Sequence, residues 1–366
     1  MPLPYRSTHD DPARENPARD DRVLDALVIG AGQAGLSASY HLPRLGLDHV
    51  VLDANPRPGG AWQHRWHSLS MVDVHGVADL PDGPAPGASP RPANEVLPAW
   101  FAAYEADHGL PVLRPVVVDE VTSEGELLVV RAGDRRWRTR ALVNATGTWT
   151  RPFVPSYPCA ETFAGEQLHT VDYPGPDHFA GRRVVVVGGG ASAVQLLGEL
   201  APVTDTLWVT RRPPVWRTGE FDPEAGRAAV ALVEDRVRRG LPPASVVSVT
   251  GLALRPQEAE AARLGAYDRR PMFARLEPAG VRWEDGSFEP IDVILWATGF
   301  RPAVGHLAPL HLRSPYGGIR LDGTTAVADP RVQLVGYGPS ASTIGANRAG
   351  RRAAVAISRR LQAEAA

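Results

Sequence analysis

A short apolar strand, a glycine-broken turn and a small-residue helix occur twice in this chain of 366 residues. That repetition predicts an α/β fold with two nested Rossmann-like dinucleotide-binding domains. The first copy runs through Val23–Ile29 into GAGQAGLSASYHL, and the second through RVVVVGGGASAVQLLGEL from Arg183. Their first glycines, Gly30 and Gly188, stand 158 positions apart. A smaller echo supports the duplication, since VNATG at 143–147 is matched by LWATGF at 295–300.

Composition narrows the class. A chain of this length suggests two domains, and 43% apolar residues can fill their cores. Glycine and proline are plentiful but follow no period, which excludes a collagen-like chain. A formal charge of -2 gives no reason to expect a nucleic-acid partner. No apolar run is long enough for a membrane span, and MPLPYRSTHDDPAREN is not a signal peptide, so a cytoplasmic location is expected. Cys159 stands alone, which leaves no disulfide framework, no Cys-x-x-Cys pair and no thiolate metal site.

The elements follow in order. Residues 1–22 are polar and proline-dotted and read as a mobile tail. After the first strand, Leu36 and Tyr40 give the following stretch a helical stripe, and His49–Asp53 is the next strand. Residues 55–94 read as a long irregular connection, and connections of that length are usually functional. A helix is predicted over 95–107 with Val96, Trp100 and Tyr104 on one face, then strands at 116–121, 127–132 and 136–143. Beyond the second glycine loop, 225–239 reads as a helix through Val230, Val233 and Val237. A strand at 332–336 and a helix at 345–361, with Ala349, Ala353, Ile357 and Leu361 inward, close the chain. The nested order places the first domain at 23–155 and 291–366 and the second at 156–290.

In the first loop, Gly30 permits the tight turn, Gly32 lets the backbone approach a pyrophosphate, and Gly35 lets helix and strand pack closely. Gln33 and Ala34 open the helix whose N–H groups face that pyrophosphate. Asp53, followed by Ala54, ends the next strand where a ribose hydroxyl needs an acceptor. The second loop repeats the turn with Gly188, Gly190, Ala191, Ser192 and Ala193. Where the first copy has Asp53, the second has Arg211 and Arg212, a pair suited to grip a 2′-phosphate and therefore NADPH. One site of each kind implies a flavoenzyme with FAD in the first loop and NADPH in the second.

At this point the chain resembles the flavin-containing monooxygenase family, in its compact bacterial group B branch. Phe163, Gly165, His169 and Tyr173 fit that family's FxGxxxHxxx(Y/F) signature, Gly59, Gly60 and Trp62 its GG-x-W stretch, and Ala145-Thr146-Gly147 and Ala297-Thr298-Gly299 its two ATG motifs. The resemblance implies a cycle in which NADPH reduces the flavin and oxygen adds to give a C4a-(hydro)peroxyflavin. One oxygen atom then passes to a small soft nucleophile, an amine or a sulfide. It implies cofactor contacts at Gly60, Ala61, Trp62, Arg65 and Trp66, and at both ATG motifs. The helix start at Ser342, Thr343 and Ile344 would aim its positive end at the flavin edge. His169 and Tyr173 are candidate catalytic or cofactor-positioning residues. Asp73, with His67 and His75 nearby, stands where the family places Asn or Thr beside the flavin. Baeyer–Villiger relatives end the signature in Trp-Pro, so Tyr173-Pro174 favours heteroatom oxygenation. Baeyer–Villiger oxygenation of ketones, or an NADPH oxidase or flavin-linked reductase, are the alternatives. The missing Cys-x-x-Cys argues against thioredoxin reductase, which is similar in layout. The implied partners are a small-molecule nucleophile and molecular oxygen, with neither nucleic acid nor membrane, and a homodimer is a family expectation.

Overall fold

The structure, a computed structural model, describes residues 22–74, 77–216, 223–243, 252 and 254–366. The side chains of 223–230, 257, 343 and 344 lie outside that description. The tail expected at 1–22 (Arg22 apart), His75 and the side chains of Val230, Thr343 and Ile344 therefore fall outside the described residues.

The first glycine loop leaves a seven-stranded sheet ordered 321–322, 325–326, 332–334, 142–144, 26–29, 49–52 and 112–113. Its strands from Val332–Leu334 to Val112–Leu113 run parallel. The second loop leaves an all-parallel sheet of Asp205–Val209, Arg183–Val187, Val293–Trp296 and Glu166–His169. Parallel strands covered on both faces must be apolar throughout, which is why ALVI and RVVVV read as unbroken runs. The two nested Rossmann-like units are thus present.

Helix Gln33–Arg44 follows the first loop and packs against the C-terminal helix Thr343–Ala365. Leu36 and Tyr40 meet Ala349, Ala353, Ile357 and Leu361 in one core, as the helical spacing predicts. The contact is close: a Cβ on Gly350 would lie 2.5 Å from Ser37 Oγ and 2.7 Å from the Ala38 nitrogen. Helix Pro223–Arg238 buries Val233 and Val237. Among the described residues, no helix is long and apolar enough to cross a membrane.

Several expectations shift. The strand expected at 136–143 divides at Arg140-Ala141: Arg135–Thr139 joins an antiparallel meander with Leu127–Ala132, and Leu142–Asn144 enters the seven-stranded sheet. Alternation of side chains does not record a change of sheet, so one run looked like one strand. The stretch 116–121 is strand only from Glu120, because the Val116 N–H is taken by the Asp53 carbonyl at 2.8 Å. The helix expected at 95–107 begins at Ala93 and buries Ala93, Leu97, Phe101 and Tyr104, leaving Val96 and Trp100 half-buried beside that stripe. Strand Val293–Trp296 pairs with Arg183–Val187, so the chain returns to the first sheet after Trp296 rather than at 291. The two crossings run side by side. Phe153 N–H bonds the Gly299 carbonyl at 2.9 Å and Arg301 N–H the Arg151 carbonyl at 2.8 Å.

Candidate active site

Each loop's first glycine rests on the alanine carbonyl of an ATG motif. Gly30 has φ +101°, and a Cβ there would lie 2.6 Å from the Ala145 oxygen; Gly188 has φ +144°, and a Cβ would lie 2.1 Å from the Ala297 oxygen. This contact explains why the glycine loop and the ATG sequence recur as a pair. Gly35 is equally constrained, with a Cβ position 1.8 Å from the Gly30 oxygen. Gly32 and Gly190 differ, since nothing stands within 4 Å of a Cβ at either and both leave room for a ligand.

The first loop opens onto a cleft of about 510 Å³. Gly30, Gly32, Gln33, Ala34, Asp53, Ala54, Gly60, Ala61, Trp62, Arg65, Ala145, Thr146, Gly147 and Ser342 line it, all named from sequence. Gly35 and Trp66 are not part of its lining. Asp53 is buried, its carboxylate oriented by Arg114 Nε at 3.1 Å and Asn55 Nδ2 at 3.1 Å, while Arg114 forms a bidentate pair with Glu105 at 2.7 Å. Ser342 caps the C-terminal helix, its hydroxyl accepting the Gly345 N–H at 3.1 Å.

Two further groups give the cleft its charge and fixed polarity. The Arg65 guanidinium carbon lies 4.6 Å from the ring centre of Trp149 and 5.5 Å from that of Trp62. Its Nε is buried with no hydrogen-bond partner among the described residues, and burial lowers its pKa to about 10, which leaves it charged at neutral pH. A half-buried cation with no counter-ion among the described residues calls for an anionic ligand. His306, also in the lining, donates from Nε2–H to Asn144 Oδ1 at 2.7 Å. The Asn144 amide donates to Thr146 Oγ1 at 3.0 Å, and the Thr146 hydroxyl to the Ala303 carbonyl at 2.6 Å. Burial lowers the His306 pKa to about 4, so the ring stays neutral. The open space at Gly32, the uncompensated Arg65 and the buried Asp53 together fit a dinucleotide of FAD's size and charge. Asp53 would take the ribose, the Gly32 turn and Arg65 the negative charge, and Trp62 the ring system.

The pyridine nucleotide-disulphide oxidoreductase family model matches residues 27–232, a span containing both glycine loops. A flavin-containing monooxygenase from Stenotrophomonas maltophilia, a solved structure, is 39% identical with a TM-score of 0.80, over 94% of this chain and 99% of that one. The chain belongs to the flavin-containing monooxygenase family. The indole-3-pyruvate monooxygenase YUCCA4 of Oryza sativa subsp. japonica is 28% identical over 80% of this chain and 79% of its own length. A Baeyer-Villiger monooxygenase of Streptomyces coelicolor is 29% identical over 58% of this chain and 44% of its own. This flavin-containing monooxygenase is accordingly an FAD-binding oxidoreductase whose chemistry is oxygenation of a small molecule. Its single cysteine, Cys159, supplies no dithiol for the disulphide chemistry in the broader family's name.

The candidate catalytic residues of the monooxygenase lie elsewhere than the cleft lining. His169 is buried, its Nε2–H donating to the Gly299 carbonyl at 3.0 Å while Nδ1 accepts the Val171 N–H at 3.3 Å. Burial lowers its pKa, and both nitrogens are committed to backbone, which ties the signature strand to the second crossing. Tyr173 is buried edge-on to Trp66 at 6.0 Å, and its hydroxyl donates to Glu199 at 3.2 Å. Asp73 does not line the cleft: its carboxylate accepts from Ser70 Oγ at 2.5 Å, and its carbonyl accepts from Gln195 and Arg255. The chain turns away after Arg65 because Trp66, Ser68 and Asp73 are held by the second unit. His67 is exposed, 4.0 Å from Glu95.

The second loop stands apart from the cleft. Trp208 Nε1–H braces the Gly188 carbonyl at 2.7 Å, Ala193 is buried, and Ala191 and Ser192 are half-buried at the helix start. Arg211 and Arg212 are exposed beyond the next strand. Thr298 donates to the Phe153 carbonyl, so Ala297, Thr298 and Gly299 serve the crossing rather than the cleft wall. Arg114, Trp149, Glu199 and His306 carry no sequence motif of their own, and Phe300 is known from sequence only as the end of LWATGF. Trp149 stacks on Phe300 at 5.2 Å in the cleft lining; Trp149 stands two positions after one ATG motif and Phe300 directly after the other. That adjacency was the one available signal.

Proposed function

We propose that this chain is an NADPH-dependent FAD monooxygenase that oxygenates a small amine or sulfide. The reading is supported by 39% identity along 99% of a flavin-containing monooxygenase and by Tyr173-Pro174 at the end of the signature. Bound FAD supplies the redox centre that accepts hydride and activates oxygen. The protein's part is to hold and shield that centre. Arg65 offsets the negative charge of the cofactor, and the Asp53–Arg114–Glu105 cluster orients its ribose. Trp62, Trp149 and Phe300 wall the cleft with apolar surface that excludes water. His306, neutral and already hydrogen-bonded, presents no acidic proton near neutral pH. Arg211 and Arg212, exposed at the end of the second unit's strand, offer guanidinium groups to the 2′-phosphate of NADPH.

The test is product analysis. The FAD-loaded protein is incubated with NADPH, oxygen and, separately, an aryl methyl sulfide, a tertiary amine and a cyclic ketone. Sulfoxide or N-oxide formed in proportion to NADPH consumed is the expected result. Lactone from the ketone alone would move the chain to the Baeyer–Villiger reading, and hydrogen peroxide with no oxygenated product would make it an oxidase.

A further inference from the structure

The helix Ala191–Leu200 begins at the second glycine loop and ends beside the segment that walls the first cleft. From its last turn, the Glu199 carboxylate accepts three hydrogen bonds: Trp66 Nε1–H at 2.9 Å, Ser68 Oγ–H at 2.6 Å and Tyr173 O–H at 3.2 Å. One turn earlier, Gln195 donates to the Asp73 carbonyl at 3.0 Å. Arg255, fixed on Glu258, donates to the same carbonyl. The segment thus gripped follows directly on the Gly60–Arg65 stretch whose residues line the cleft. Trp66, buried edge-on against Tyr173, is the joint between the two.

We propose that Glu199 is a positioning residue that locks the wall of the FAD cleft to the helix of the nicotinamide loop, fixing the approach of the two cofactors. The inference rests on the reading that the second loop binds NADPH. A helix is a stiff rod, so a grip at its C-terminal turn sets where its N-terminus and the adjoining loop stand. Hydride transfer needs the reacting atoms held about 3–3.5 Å apart, and an error near 1 Å costs on the order of a hundredfold. All three donors to Glu199 belong to segments outside its own helix. Removing the carboxylate leaves the buried indole N–H without its acceptor and frees the wall from the helix.

The test is the anaerobic reduction of bound flavin by NADPH in rapid mixing, with no oxygenation substrate present. In Glu199→Ala the rate at saturating NADPH should fall at least about tenfold. Flavin content, the affinity for NADPH and reducibility by dithionite should stay near wild type. Glu199→Gln, which keeps an acceptor for Trp66, should recover part of the rate. Hydrogen exchange should rise at residues 60–73 in the alanine variant. An unchanged reduction rate would overturn the proposal, and so would a loss of rate matched by loss of flavin, since that is what a merely structural anchor gives. Should Glu199→Ala fail to fold, Gln195→Ala and Ser68→Ala are read by the same criteria, each with a smaller loss. Wild-type protein that NADPH reduces but that forms no oxygenated product would refute the monooxygenase reading and leave this one standing. Wild-type protein that NADPH does not reduce would refute the nicotinamide reading and this proposal with it.

Discussion

Arg65 is a cation placed among indole rings with no anion beside it among the described residues, and that makes it the residue whose substitution is most informative about the cleft. Arg65→Met keeps the bulk and removes the charge. FAD binding to apoprotein should weaken roughly ten- to a hundredfold, as for a lost charge-assisted hydrogen bond of about 1.5–3 kcal/mol. Fluorescence titration reads this, and an unaltered affinity would mean that the guanidinium does not face the cofactor. Arg211→Ala should raise KM for NADPH by a similar factor, roughly ten- to a hundredfold, and leave KM for NADH almost unchanged. Equal effects on both would remove the 2′-phosphate assignment. His306 and His49 carry a pH prediction. Burial lowers both to about 4, whereas the unfolded chain binds these protons near the ordinary 6.5. Between those values the unfolded state holds more protons, so this stability is fully present above pH 6.5 and is lost as pH falls toward 4. Urea midpoints should therefore drop from pH 7 to pH 5, and His306→Gln should flatten that drop. The motif glycines and Asp53 were readable because backbone geometry dictates residue type at those points. His306 bonds Asn144 across 162 positions and Glu199 bonds Trp66 across 133, and no periodicity or spacing rule links such pairs.

At the scale of elements, the C-terminal helix shows what periodicity does and does not record. Its inward residues were legible because they recur at helical spacing, and all four are buried. The closeness of its contact was not, since that depends on Gly350 meeting Ser37 and Ala38 on another helix. Alanine is the better helix former by up to about 1 kcal/mol, but overpacking against backbone costs roughly 1–3 kcal/mol. Gly350→Ala should therefore lower stability by up to about 3 kcal/mol, seen as a reduced denaturation midpoint. A stabilised variant would show that the two helices part without cost. The division of 136–143 between two sheets belongs to the same class of omission. Arg140 N–H bonds the Leu24 carbonyl and Leu27 N–H the Ala141 carbonyl, and these long-range partners mark the boundary.

Across the whole molecule, the nesting of one dinucleotide unit within another was legible because the chain repeats its loop, its ATG motif and its spacing to the residue after the next strand. The relative placement of the two units was not. It is set by paired crossings, by His169 on the Gly299 carbonyl and by the Glu199 grip, each joining residues far apart in the chain. The ATG pair illustrates both sides: its recurrence was plain in sequence, but its contact with the first glycine of each loop needed coordinates. Within the stretch 55–94, Gly60, Ala61, Trp62, His64 and Arg65 line the cleft, and Trp66, Ser68 and Asp73 tie it to the second unit. The most direct test of oxygenation by this molecule uses oxygen gas labelled with oxygen-18, NADPH and an aryl methyl sulfide. The account predicts sulfoxide carrying one labelled atom for each NADPH consumed. Unlabelled sulfoxide, or labelled hydrogen peroxide with the sulfide unchanged, would contradict it.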